Sequence, residues 1–292
     1  MRPLPRSRPA RRPLRRVLVG AAVAGVLTGC SATTERGFLP KGITTESDRI
    51  TNLWVGAWIA ALVVGVLVWG LTIWCIAAYR KRKDDINLPE QLRYHLPLEI
   101  LYTVVPIMMI GVLFFYTARD ESAMMDTSAK PDQIINVVGK QWAWDFNYVT
   151  QDVYETSVPV VLTGDAKDAE QLPTLYLPVG ERVEFVLTAR DVIHSFWVPA
   201  FLRKLDMLPG RVNKFQVTPT TEGTFAGKCA ELCGTYHSQM LFQVKVVPKA
   251  EFEQHVADLK TKGNVGQLPN TLDREPLVPE DQDKVPTPGS NA

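Results

Sequence analysis

Residues 227–240 read GKCAELCGTYHSQM. Between Cys229 and Met240 this stretch gathers two thiols (Cys229, Cys233), an imidazole (His237) and a thioether (Met240). A structural zinc knot, a redox thiol pair and a copper site could each use such a set. Thiolate, imidazole and thioether are soft donors that favour copper over hard cations. Zinc is the competing metal, since two cysteines and two histidines form a common structural set. Methionine speaks against it, being typical instead as a weak axial copper ligand. The gap between the cysteines is also three residues, where most zinc knuckles have two. A redox pair would call for a Cys-x-x-Cys at a helix start, which is absent.

A copper loop needs a second nitrogen donor, and the chain has only four histidines to supply it. His95 falls between two apolar runs and His255 in a short amphipathic helix. His194 lies at a strand end in Asp191-Val192-Ile193-His194-Ser195-Phe196-Trp197-Val198-Pro199. A lone histidine there would ordinarily be structural; beside a copper loop it becomes the candidate ligand.

Two thiols with only three residues between them do not make a disulfide-stapled scaffold, and in an exported chain they are expected to be held reduced by a metal. Residues 1–16 hold seven arginines and no acid, followed by a short apolar core. That core is too short for a span of about 20 residues, so residues 1–29 are expected to form a signal peptide. The run Leu27-Thr28-Gly29-Cys30 resembles a bacterial lipobox, which would make Cys30 the lipidated first residue of the mature chain. Loss of the seven arginines would take the net charge from +1 to −6.

Residues 30–49 are then an external segment. Residues 50–79 carry no charge and residues 96–118 only Glu99, so both are expected to span the membrane. Arg80-Lys81-Arg82-Lys83 lies between them, which puts the loop 80–95 in the cytoplasm and residues beyond 118 outside. Glu99 could snorkel to the interface or mark an ion route, and Pro106 should kink the second helix.

Residues 119–260 read as an antiparallel β-sandwich. Residues 133–139 and 182–187 are rich in β-branched and aromatic side chains, and residues 239–246 alternate with Met240, Phe242, Val244 and Val246 on one face. Residues 150–172 show no clear period and are expected to form a polar insertion. Residues 250–259 form a short amphipathic helix. Residues 261–292, with five prolines and scattered acids, read as a disordered tail.

The chain resembles subunit II of bacterial cytochrome c oxidases from the first span to about residue 260, and by that likeness the fold is a two-helix transmembrane hairpin plus an all-β cupredoxin-like sandwich. Cys229-Ala230-Glu231-Leu232-Cys233, His237 and Met240 match the family's dinuclear copper A motif, and His194 matches its other histidine. The resemblance implies that Cys229 and Cys233 bridge two coppers, with His194, His237, Met240 and the Glu231 carbonyl completing the set. It implies that the Glu231 side chain serves a magnesium ion shared with subunit I. Gly139-Lys140-Gln141-Trp142-Ala143-Trp144 resembles the family's aromatic stretch, whose first tryptophan, here Trp142, takes electrons from cytochrome c. The family has histidine where Lys140 stands, so the local surface charge is expected to differ. The segment 99–106 resembles the one whose glutamate, here Glu99, lies at the mouth of a proton channel into subunit I.

The resemblance thus implies an electron-accepting subunit, inactive by itself, in a bacterial plasma-membrane oxidase that reduces oxygen and pumps protons. Its expected partners are haem-bearing subunit I, other oxidase subunits, a c-type cytochrome (within a cytochrome bc supercomplex if the chain is actinobacterial) and membrane lipid, with no nucleic acid. The negative external domain suits a basic donor. A quinol oxidase subunit would lack the copper ligands. A nitrous oxide reductase would bring a propeller. A copper-delivery lipoprotein would need neither two spans nor the tryptophan pair.

Overall fold

The computed structural model describes residues 32–82, 91–160, 163 and 166–272. Residues 1–31, including the expected signal peptide and Cys30, lie outside the described residues, as do most of the connection between the apolar runs and residues 273–292.

After a helical turn, α1 (Ala32–Glu35), come two long helices, α2 (Ser47–Ala78) and α3 (Leu96–Met125). Both are long and apolar enough to cross a membrane. At about 1.5 Å per residue, each exceeds the roughly 30 Å of a hydrocarbon core. The surplus of α3 rises toward the sandwich. There Asp120 is buried and paired with Arg119 at 2.8 Å and Arg49 of α2 at 3.5 Å. Arg203 of the sandwich donates to the carbonyl of Met124 and lies over the Phe215 ring. Its burial lowers its pKa to about 10. The segment before α2 is tied on as well, through Ile43 N–H to Ala200 O and Thr45 N–H to Thr218 O.

Among the described residues the sandwich has ten strands: β1 (Gln133–Lys140), β2 (Ala143–Tyr148), β3 (Val153–Thr156), β4 (Thr174–Pro178), β5 (Val183–Ala189), β6 (His194–Val198), β7 (Arg203–Met207), β8 (Asn213–Val217), β9 (Gly223–Cys229) and β10 (Leu241–Val247). One sheet runs β3-β2-β1-β5-β8 and the other β4-β10-β9-β6-β7. Period-two alternation sends Trp144, Phe146, Phe185, Phe196 and Phe242 inward, where Phe196 and Phe242 stack at 5.1 Å and Trp144 meets Phe242 edge-on at 4.9 Å.

Three expectations need correction. The sandwich is mixed, not antiparallel: β1 pairs with β5 and β10 with β4 in parallel. Alternation along one strand reports which face is buried but not the direction of its neighbour. Second, residues 150–172 are not all insertion. Val153–Thr156 form an edge strand, antiparallel to β2, too short to show a period. Third, the tail is ordered as far as it is described. After α4 (Lys249–Thr261), Leu268 exchanges two hydrogen bonds with the Asn147 side chain, and Asn270 donates to Asn136. Order there comes from main-chain bonds to buried asparagines, which composition does not report.

Candidate metal centre

Pairing of β6 with β9 brings the distant ligands together. Phe196 lies opposite Cys229, which puts His194 beside the thiol that ends β9. The loop 230–240 then folds back: Ala230 N–H binds Ser195 O, and Cys229 N–H binds Met240 O at 3.0 Å. A single 3-10 turn, His237–Gln239, lifts His237 over Cys233.

The donor atoms converge. The two Sγ atoms are 3.9 Å apart, and both thiols are unlinked and buried. His194 Nδ1 stands 3.8 Å from Cys229 Sγ, and His237 Nδ1 stands 3.5 Å from Cys233 Sγ. Met240 Sδ is 3.8 Å from Cys233 Sγ, and the Cys229 thiol donates to the Glu231 carbonyl at 3.2 Å. Two sulfurs, each flanked by one imidazole, with a weak thioether and a carbonyl at the ends, suit soft ions bridged by thiolates. The set fits copper. His194, Cys229 and Cys233 also stand out as a possible metal-binding group by proximity alone.

Charge favours ligation. Burial pushes the Cys229 thiol up, but hydrogen bonding with His194 and with the backbone at Glu231 and Ser195 favours the thiolate, outweighs it and lowers the pKa overall. Burial and the neighbouring Cys229 push the Cys233 thiol up to about 12. The pair therefore releases one proton readily and holds the second until a cation arrives.

Sequence reading missed the residues that orient these ligands. Asp191, three residues before His194, receives His194 Nε2 at 2.8 Å and so directs Nδ1 at the sulfurs. Its other oxygen accepts Gln141 N–H at 2.6 Å. Burial would raise the Asp191 pKa, but these bonds prevail and lower it. The same carboxylate raises the pKa of His194 against the opposing effect of burial. Gly139 leaves room for the imidazole, since a Cβ there would sit 2.9 Å from His194 Cδ2. The visible signal was an acid one turn before a ligand histidine.

Trp142 is half-buried at the tip of the β1–β2 hairpin and donates to Cys233 O at 3.3 Å. Tyr236 meets its ring edge-on at 4.9 Å. Gly234, at φ +125°, lets the metal loop pass beneath that indole, where a Cβ would sit 3.1 Å from the ring. Glu231 keeps its carboxylate half-exposed at the rim. Glu99 is not part of this cluster. It lies in the first turn of α3, where its side chain accepts the N–H of His95 at 3.0 Å and caps the helix. His255 also lies elsewhere, stacked on Tyr176 at 3.8 Å.

Fold and site together define a class: two apolar helices bearing a cupredoxin-like domain with a soft-ligand metal centre. Residues 133–247 match the family described as "Cytochrome C oxidase subunit II, periplasmic domain". The chain is 45% identical to a probable cytochrome c oxidase subunit 2 of Streptomyces avermitilis, over 92% of this chain and 95% of the relative. It is 36% identical to the cytochrome c oxidase subunit 2 of Mycobacterium bovis, over 80% and 78% respectively. Among solved structures, the periplasmic domain of subunit II (CoxB) from Bradyrhizobium japonicum is 33% identical, with a TM-score of 0.42, covering 46% of this chain and 97% of that one. The chain belongs to the cytochrome c oxidase subunit 2 family, with named relatives in actinobacteria. The family implies a copper A centre and haem-bearing subunit I as partner, and it makes the chain part of a membrane oxidoreductase complex with an external domain.

Proposed function

We propose that this chain is the electron-accepting subunit of a proton-pumping terminal oxidase, taking electrons from a c-type cytochrome at Trp142 and handing them toward haem in subunit I. The observation that carries the reading is the convergence of His194, Cys229, Cys233, His237, Met240 and the Glu231 carbonyl directly beneath Trp142. When bound there, a dinuclear copper centre supplies a one-electron carrier whose bond lengths change little between its two states.

The remaining work falls to side chains. Cys229 and Cys233 give up their protons and stay held in place by the β9 end and its loop. Asp191 fixes the His194 ring through Nε2, leaving Nδ1 to the metal. Burial of His194, Cys229, Cys233 and Met240 excludes water, which limits solvent reorganisation during transfer. The Trp142 indole touches the Cys233 carbonyl, a short covalent path from a ligand sulfur.

Finer assignments belong to the same reading. Glu231 offers its carboxylate to a magnesium ion at the face toward subunit I. Glu99 serves the mouth of a proton channel, its carboxylate also capping α3. Cys30 carries a lipid, and the chain lies in a bacterial plasma membrane with the sandwich outside, in an assembly that includes a cytochrome bc complex. Metal analysis of the full chain after copper loading tests the reading. It predicts two coppers per chain, lost on Cys229→Ser; a single copper, or retained zinc, would favour a delivery or structural role.

A further inference from the structure

Lys140 ends β1 at the base of the aromatic stretch, and its side chain turns onto a buried carboxylate. The register of β1 with β2 pairs Lys140 with Ala143, leaving Gln141 and Trp142 as the two-residue hairpin tip. From the base of that tip the Lys140 ammonium reaches over to β2 and meets Asp145 Oδ1 at 2.7 Å. Asp145 pairs in register with Thr156 of β3, whose hydroxyl donates to the same oxygen at 2.5 Å; Lys140 Nζ also reaches that hydroxyl at 3.4 Å.

The Asp145 side chain is 2% exposed and that of Lys140 26%. A carboxylate so far out of water demands a charged partner, and removal of that partner leaves it uncompensated. One ammonium therefore ties β1, β2 and β3 together directly beneath the tip. On its other side the tip is held by Gln141 N–H to Asp191 at 2.6 Å, by the Gln141 side chain to Cys233 O at 2.8 Å, and by Trp142 Nε1–H to Cys233 O at 3.3 Å. The tryptophan contact is the longest of these and yields first when the base loosens.

We propose that Lys140 is a positioning residue, an internal strut that holds the hairpin tip so that Trp142 stays against the Cys233 carbonyl, and not a docking charge for the electron donor. The inference rests on Trp142 being the point at which electrons arrive.

The test uses fluorotryptophan-labelled, copper-loaded full-length chain, with the Trp142 fluorine resonance assigned through Trp142→Phe. Electron uptake from a reduced c-type cytochrome is measured in the assembled oxidase over a range of ionic strength. In Lys140→Met the Trp142 resonance moves or broadens, uptake slows roughly tenfold, and its salt dependence stays that of the parent. Lys140→Arg, which still reaches Asp145, restores both readings. Where Lys140→Met fails to assemble, the double variant Lys140→Gln with Asp145→Asn removes both charges, leaves no lone buried carboxylate, and is measured in the same way. An undisturbed Trp142 resonance overturns the strut, and a changed salt dependence beside it makes Lys140 a docking charge. A displaced resonance with unchanged uptake keeps the strut and overturns Trp142 as the electron-accepting residue.

Discussion

Asp191 grips His194 through Nε2 at 2.8 Å and, with its second oxygen, grips the Gln141 amide at 2.6 Å. One carboxylate thus orients a metal ligand and fastens the hairpin that carries Trp142. Metal centre and electron-accepting surface are held by a common part, so damage at Asp191 should appear in both.

Replacing Asp191 with Asn keeps the shape but removes the charge that steadies the imidazole. Copper affinity should fall roughly 10–100-fold, read by competition with a chelator. The Gln141 amide should also lose protection from hydrogen exchange. Unaltered affinity would make Asp191 a hairpin clamp alone.

Trp142→Phe should slow electron uptake in the assembled oxidase while the bound copper and its spectrum stay intact. The indole N–H to Cys233 O contact disappears, but every ligand remains. Loss of copper in this variant would reduce Trp142 to a packing residue.

Copper loading should weaken as pH falls. Cys233, its pKa raised to about 12 by burial and by Cys229, holds its proton at neutral pH in the metal-free chain. Ligation must therefore expel that proton, and affinity should change by up to about tenfold per pH unit for each proton displaced. Cys229, with its lowered pKa, adds to the effect only where it is itself protonated. Titrations buffered across neutral pH check the slope. A flat profile would mean that Cys233 is not a ligand.

Ligands within one loop were legible because Cys229, Cys233, His237 and Met240 lie within one turn-rich stretch, and their types alone narrow the metal. His194 was reached only through the copper loop's need for a second nitrogen, since β6 and β9 meet through sheet pairing that leaves no local mark. Inward alternation exposed the strand of residues 241–247. The parallel neighbours of β1 and β10 left no local mark, for direction is set by crossovers elsewhere in the chain. Asp191 and Lys140 were visible as charged residues, but which way each side chain turns depends on partners brought close by folding. The docking of Leu268 on Asn147 was hidden for the same reason: a proline-bearing, polar segment finds its order in two asparagines more than a hundred positions away.

The claim that two coppers share the Cys229–Cys233 pair is tested most directly by electron paramagnetic resonance of the copper-loaded full-length chain. A mixed-valence signal with hyperfine splitting from both copper nuclei, abolished by Cys233→Ser, is the predicted result. Splitting from a single copper nucleus, or no copper signal beside bound zinc, would contradict it.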